Sequence, residues 1–389
     1  MISNTYSSWP CFSETEAQIV ADVLKSNKVN YWTGTNGKEF EKKFAQWSET
    51  KYAVALSNGT VALEVALRAL GVGPDDEVIV PPRTFFATIS AVVMVGATPV
   101  FADIDPVSQN ISPASIKDSI TDHTKAVICV HLAGWPCDMD AITAVCAPTN
   151  IRIIEDCAQA HGAKYKNRRV GGLGDIAAWS FCQDKVMTTA GEGGMVTTND
   201  EKLFKAMWEY KDHGKSHDKV HAGQSGTGFR WLHDSFGSNY RLTEMQSAVG
   251  IYQLGLVDEW VKRRRKIAAA YAEVINKYDF IGYNEPPEST YHAHYRFYAY
   301  WKHNTLTRDD FVARCFAAGM PAFQGSCPEV YLEKACELAS FGPSARLSAA
   351  TQVGEQSVML LTHPSLTDHE IFDLCAKFDH VLAEISDEL

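Results

Sequence analysis

The sequence lacks a basic-then-apolar opening segment, and no apolar run in it reaches the roughly 20 residues that a bilayer-spanning helix needs. A membrane role is excluded on that reading, and a cytoplasmic protein is expected. Positive charge is also scarce. Thirty-six Lys and Arg stand against 47 Asp and Glu, a net charge of −11, which is the wrong sign for a chain whose main partner is nucleic acid or an anionic membrane. The ten cysteines form no CxxC pair and no Cys/His cluster at metal-ligand spacing. Neither a metal site nor a disulfide frame follows, and free thiols packed as small hydrophobes are expected. Repeats, low-complexity tracts and flexible linkers are missing too. What remains is an ordinary globular composition, 46% hydrophobic and 21% charged over 389 residues. That length exceeds one ordinary core, so two packed domains or one large α/β unit are expected.

The capping box Ser13-x-x-Glu16, with Ile19, Val20, Val23 and Leu24 on one side, predicts a helix over residues 14–26. Residues 52–57 read as a strand, followed by Asn58-Gly59-Thr60 and a helical run that Gly71 ends. The alternation continues with strands at 77–80, 98–102, 126–131 and 151–155, interleaved with helices after Thr84 and from Asp138. Two more strands are expected at 176–181 and 195–198. Apolar strands alternating with helices predict a mostly parallel sheet covered on both faces. From Thr243 one long helix is predicted, with Met245, Ala248, Val249, Tyr252, Leu256 and Trp260 stepping by three and four. Its run Lys262 to Lys266 reads as a solvated face in preference to an anion patch. Beyond residue 280, strands at 294–301 and 357–361, a helix after Thr307 and a last helix capped by Thr367-x-x-Glu370 predict a smaller α/β lobe. The expected division is 1–250 for an arm and large domain and 251–389 for a small C-terminal domain.

Ligands of open α/β sheets bind outside the carboxyl ends of the strands, which directs attention to loops 57–60, 81–86, 156–161 and 180–185. Asp156 follows the apolar strand Ile-Arg-Ile-Ile-Glu, and on its own would serve as a cap. Lys185 closes the segment Ser180-Phe181-Cys182-Gln183-Asp184-Lys185, just before the glycine-rich stretch 190–194. Ser57-Asn58-Gly59-Thr60 leads a strand into a helix start, whose unpaired amides and dipole favour an anion. Gly59 leaves room for a phosphate, and Thr60 offers both amide and hydroxyl. Together these groups are what pyridoxal phosphate requires: an amine to bond its aldehyde, a carboxylate to keep the pyridine nitrogen protonated, and helix-end amides for the phosphate. A lysine displaced by the incoming amine can then carry a proton between substrate and cofactor carbons.

The segments Glu155 to Gly162 (EDCAQAHG), 180–196 (SFCQDKVMTTAGEGGMV) and Gly237-Ser238-Asn239-Tyr240-Arg241 resemble the DegT/DnrJ/EryC1/StrS aminotransferases, sugar aminotransferases of pyridoxal-phosphate fold type I. The resemblance extends to 30–45, 57–88, 96–105, 130–140 and 360–371, nearly the whole chain. It implies a large domain with a mostly parallel seven-stranded sheet between helices. It also implies Lys185 as the Schiff-base lysine, Asp156 as partner of the pyridine nitrogen and Gln159 near the ring hydroxyl. Ser180 with Gly59 and Thr60 would hold the phosphate, and Phe85 would stack on the ring. Asn239 would reach a phosphate in the neighbouring subunit, so a homodimer with shared active sites is implied.

For several of these residues a structural alternative stands beside the functional one. Phe85 could be core, Gln159 a cap, Asn239 a turn residue, and His161 reads as a structural histidine. Lys185 favours transamination, because relatives doing dehydration carry histidine at this point. Two departures bear on the substrate. Arg83 stands where relatives more often have a small or neutral residue, and either reaches a substrate phosphate or is solvated. Residues 322–331 lack the histidine and tyrosine pattern of many members. The function implied is transfer of an amino group from L-glutamate to a keto group of a nucleotide-linked sugar, commonly a 4-keto-6-deoxy hexose, for cell-surface glycans. Aromatic residues at Tyr31, Trp32 and 295–301 could line the sugar pocket. A sugar dehydratase and a non-catalytic regulatory member are the competing readings.

Overall fold

The structure, a computed structural model, describes residues 6–222, 231–303 and 305–388. Seven strands form the main sheet: β1 (Tyr52–Leu56), β2 (Glu77–Val80), β3 (Thr98–Phe101), β4 (Thr124–Val130), β5 (Arg152–Asp156), β6 (Ile176–Ser180) and β7 (Gly194–Thr198). Their spatial order is β1-β7-β6-β5-β4-β2-β3. The pairs β2–β3, β2–β4, β4–β5 and β5–β6 are parallel, while β7 runs antiparallel to both of its neighbours. Side chains alternate between the two faces of a strand. Val54 and Leu56 of β1 therefore join one core, with Leu63, Val65 and Leu67 of the helix Gly59–Ala69, while Ala53 and Ala55 join another around Phe40, Phe44, Trp179 and Phe181. Burial on both faces explains why these strands read as continuous apolar runs.

A second, antiparallel sheet orders β8 (Ile281–Gly282), β9 (Phe297–Trp301), β11 (Ser357–Leu360) and β10 (Ala322–Phe323). Ile267, Tyr271, Phe297, Phe311, Phe378 and Leu382 form its core with the helices Val257–Ile275, Arg308–Ala317 and Asp368–Asp387. Each fully buried Phe or Leu there contributes about 1.5–3 kcal/mol. The capping boxes at Ser13–Glu16 and Thr367–Glu370 are both formed. All ten cysteines are free. No helix among the described residues is long and apolar enough to cross a membrane.

Three expectations are corrected. The long helix from Thr243 is two helices, Glu244–Leu254 and Val257–Ile275, because the amides of Gly255 and Leu256 bond three residues back, to Tyr252 and Gln253, and tighten the turn. The strand expected from His294 begins at Phe297. Ala293 and Tyr295 instead donate their amides to the carbonyls of Gly134 and Ala133, drawing this segment onto the large lobe. The basic run is not a solvated face throughout. Arg264 is fully buried, Arg263 donates to the Leu366 carbonyl and Arg265 to that of His292.

Candidate active site

Local sequence places each group at a strand end. In β5 the apolar residues carry Asp156 to the last strand position, 7% exposed. Its Oδ1 accepts from the Ala158 amide at 3.1 Å and its Oδ2 from the Thr88 hydroxyl at 3.3 Å. Burial raises its carboxyl above the ordinary range against these bonds and the Lys185 charge, so a cation opposite it would favour the ionised form. Gln159 accepts the Ala133 amide on Oε1 at 2.7 Å, while Nε2 has no acceptor among the described residues. Ser180 ends β6, and its Oγ accepts from the Cys182 amide at 3.3 Å.

Gly59 opens a helix capped by Asn58, whose Oδ1 accepts from the Val61 amide at 2.9 Å. The amides of Gly59 and Thr60 are among the orphan donors of that helix end. A Cβ at position 59 would lie 2.6 Å from the Ser180 Cβ, so the glycine is required by the close approach of Ser180. This packing reason stands beside the phosphate clearance expected.

These residues line a cavity of about 640 Å³ together with Thr88, Phe85 and Lys185. A second hollow of about 400 Å³ shares Phe85, Gln159, Asp184 and Lys185, and takes its other wall from Tyr295, Arg296, Tyr298 and residues 325–327. The Lys185 Nζ lies 4.0 Å from Asp184 Oδ1 and 5.3 Å from the centre of the Tyr295 ring. Burial works against its ammonium, but Tyr295, Asp184 and Asp156 outweigh it and hold the group above the ordinary lysine range. The Trp9 indole donates to the Lys185 carbonyl at 2.8 Å, anchoring that loop to the N-terminal arm. Phe85 is 69% exposed on the cavity wall, so the core alternative is removed. A primary amine, a buried carboxylate in no direct ion pair among the described residues, two helix-end amides and an exposed aromatic ring together fit pyridoxal phosphate.

Other sequence candidates fall elsewhere. Asn239 is exposed, bridges the backbone of Asp212 and is not a wall of this cavity. His161 is buried between Trp179 and Phe181, with both ring nitrogens unpartnered, and burial pushes it down to about 3. Tyr31 and Trp32 pack with Trp208 away from the site. Arg83 is neither solvated nor on the cavity wall. It is 1% exposed, lies over the Tyr298 ring and donates to the Ser357 hydroxyl at 3.0 Å. Tyr295, offered from the sequence as a pocket aromatic, does line the second hollow, whereas Thr88, Asp184 and Arg296 were given no role. Of these, only Thr88 and Asp184 carried a signal, through their nearness to Phe85 and Lys185.

Among the described residues, His131, Glu155 and Cys157 are the cluster with ligand atoms within 4.8 Å. Glu155 already accepts from the amides of Gly171, Leu173 and Gly174 and pairs with His131 at 3.1 Å. Its carboxylate is thus consumed in holding the 171–174 loop.

The chain resembles several characterised proteins closely. It is 50% identical to the aminotransferase of Psychrobacter cryohalolentis, with a TM-score of 0.96 over 98% of this chain and 100% of that one. GDP-perosamine synthase of Escherichia coli O157:H7 is 39% identical over 302 residues, 77% of each chain. GDP-perosamine synthase of Caulobacter vibrioides is 36% identical over 384 residues, 94% of this chain and 98% of that one. The fold is that of type I pyridoxal-phosphate enzymes. With residues 10–379 matching its sequence pattern, the chain belongs to the DegT/DnrJ/EryC1/StrS aminotransferase family.

Proposed function

We propose that this protein is a pyridoxal-phosphate-dependent aminotransferase that moves an amino group from L-glutamate to a keto group of a nucleotide-linked sugar. A 4-keto-6-deoxy hexose is the acceptor we favour, because two relatives with substantial identity are GDP-perosamine synthases. The product would serve cell-surface glycan assembly, and the enzyme would work in the cytoplasm as a homodimer. The observation that carries the reading is the convergence of Lys185 and Asp156 on one cavity that begins at the Gly59 helix end.

Pyridoxal phosphate, when bound, supplies an aldehyde that accepts the amino group and a conjugated ring that delocalises the electrons released at the neighbouring carbon. The residues divide the remaining work. Lys185 Nζ would hold the cofactor through its aldehyde and would serve as the base that carries a proton. The Asp156 carboxylate would keep the ring nitrogen protonated, and Gln159 Nε2 would be the donor for the ring hydroxyl. Ser180 with the Gly59 and Thr60 amides would hold the phosphate, Phe85 would cover the ring, and Asn239 would reach the phosphate in the neighbouring subunit.

The test is a panel of nucleotide keto sugars with ¹⁵N-glutamate, read by mass spectrometry. Label in the sugar supports the reading. Keto sugar consumed without label would replace it with dehydration chemistry.

A further inference from the structure

The wall contributed by the second lobe holds more positive charge than its own bonds account for. Arg296 donates Nη1 to the Tyr295 carbonyl at 3.1 Å and lies 4.2 Å from the Tyr295 ring centre, while its Nη2 stands 3.6 Å from Asp184, outside hydrogen-bond reach. Its Nε and Nη2 therefore have no hydrogen-bond acceptor among the described residues. Behind it, Arg264 donates Nη1 to the same carbonyl at 3.2 Å and leaves Nε and Nη2 without partners although fully buried. The Thr362 hydroxyl donates chiefly to the His294 carbonyl, at 2.6 Å, and stands 3.2 Å from this oxygen. A carbonyl has two lone pairs, and the two guanidinium groups take both.

The local charges do not balance. Arg264, Arg296 and Lys185 are positive. Asp184, which accepts from the Tyr295 hydroxyl, is the carboxylate among them. Asp156 serves the cofactor end of the cavity, and Glu192 and Glu333 lie exposed at its rim. Desolvated cations without a counter-charge are costly, and a guanidinium presents a planar fork that matches a carboxylate.

We propose that Arg296, backed by Arg264, anchors a carboxylate of the amino-acid donor beside Lys185. This deepens the amino-transfer reading and rests on it. It also gives the buried member of the Lys262–Lys266 run a role, as the second positive charge that draws an anion into the wall.

The test uses cofactor-loaded protein and follows each half-reaction separately by the absorbance of the bound cofactor. With Arg296→Met, the KM for glutamate should rise about 100-fold, the usual scale for truncating one partner of a buried charge pair, whereas the half-reaction with the aminosugar should change far less. Glutarate, which cannot react, should lose affinity in parallel by calorimetry. Arg296→Lys keeps the charge without the fork and should fall between the two, which covers a Met variant that fails to load. Lys262→Met, on the exposed part of the same run, is the charge control. Glutamate KM and glutarate affinity within about threefold of wild type in Arg296→Met would overturn the proposal. So would a loss confined to the aminosugar half-reaction, which would assign the guanidinium to an anion on the sugar substrate. Wild-type protein that binds the cofactor but is not converted by glutamate would defeat the amino-transfer reading itself, a result visible without any variant.

Discussion

The two sides of the cavity around Lys185 treat hydrogen bonding differently. On the strand-end side, Asp156 is held by Ala158 and Thr88, Gln159 by Ala133 and the helix cap Asn58 by Val61. On the second-lobe side, two arginines share one carbonyl oxygen, and Arg264 leaves two buried nitrogens bare. A cofactor that stays through many turnovers is best met by groups fixed in advance. A donor that enters and leaves at each turnover needs a wall that binds it without requiring it. The contrast separates residues that hold a resident group from residues that recognise a passing one.

The largest effect is expected where the two sides meet. Lys185→Ala should lower turnover by about 10⁴-fold or more, the upper range for losing a positioned base and nucleophile, as measured by labelled-nitrogen transfer. On the strand-end side, Asp156→Asn keeps the shape and removes the charge. The rate of the glutamate half-reaction should drop about 10³-fold, the scale of a lost preorganised electrostatic contact, with glutarate affinity nearly unchanged. Equal damage to both quantities would erase the distinction between the sides.

A steric test follows. Gly59→Ala places a methyl 2.6 Å from the Ser180 Cβ, and overpacking of this kind costs about 1–3 kcal/mol, seen as a lower Tm. Adding Ser180→Gly should recover the Tm but not the affinity for the cofactor, because the hydroxyl proposed for the phosphate is gone.

The smallest effect is a slope. His161 and His294 are pushed down to about 3, and His363 to about 4, each first by burial. An unfolded histidine titrates near about 6.5. As pH falls through that value the unfolded chain takes up protons that the folded chain refuses, so stability is lost from there down toward the folded values. The Tm should fall between pH 7 and 5. His161→Phe, which removes two unpartnered nitrogens from between Trp179 and Phe181, should make that fall shallower. A Tm that rises over this interval would contradict the sign.

The strand-end side was legible in the sequence because its signals are local. A strand, a small polar turn and a helix start bring Gly59 into place within ten residues, and the apolar run before Asp156 dictates which end of the sheet it occupies. Caps such as Ser13–Glu16 and Thr367–Glu370 were legible for the same reason. The second-lobe wall was legible only in its aromatics at 295–301. Arg264 sits in a run of five basic residues whose composition looks solvated, although it shares the buried face of its helix with Val257, Val261, Ala268 and Tyr271. Tyr295 and Arg296 were read as strand, whereas their backbone is drawn off by Ala133, more than 150 residues away in sequence. Arg83 shows the same limit, since nothing near it in sequence announces Tyr298 and Ser357.

The central claim is that Lys185 carries the cofactor. Borohydride reduction of the loaded protein, followed by proteolysis and peptide mass spectrometry, tests it directly. The account predicts the pyridoxyl mass on the peptide containing Lys185 and its disappearance in Lys185→Ala. The same mass on a different lysine, or none on protein that is visibly loaded, would contradict it.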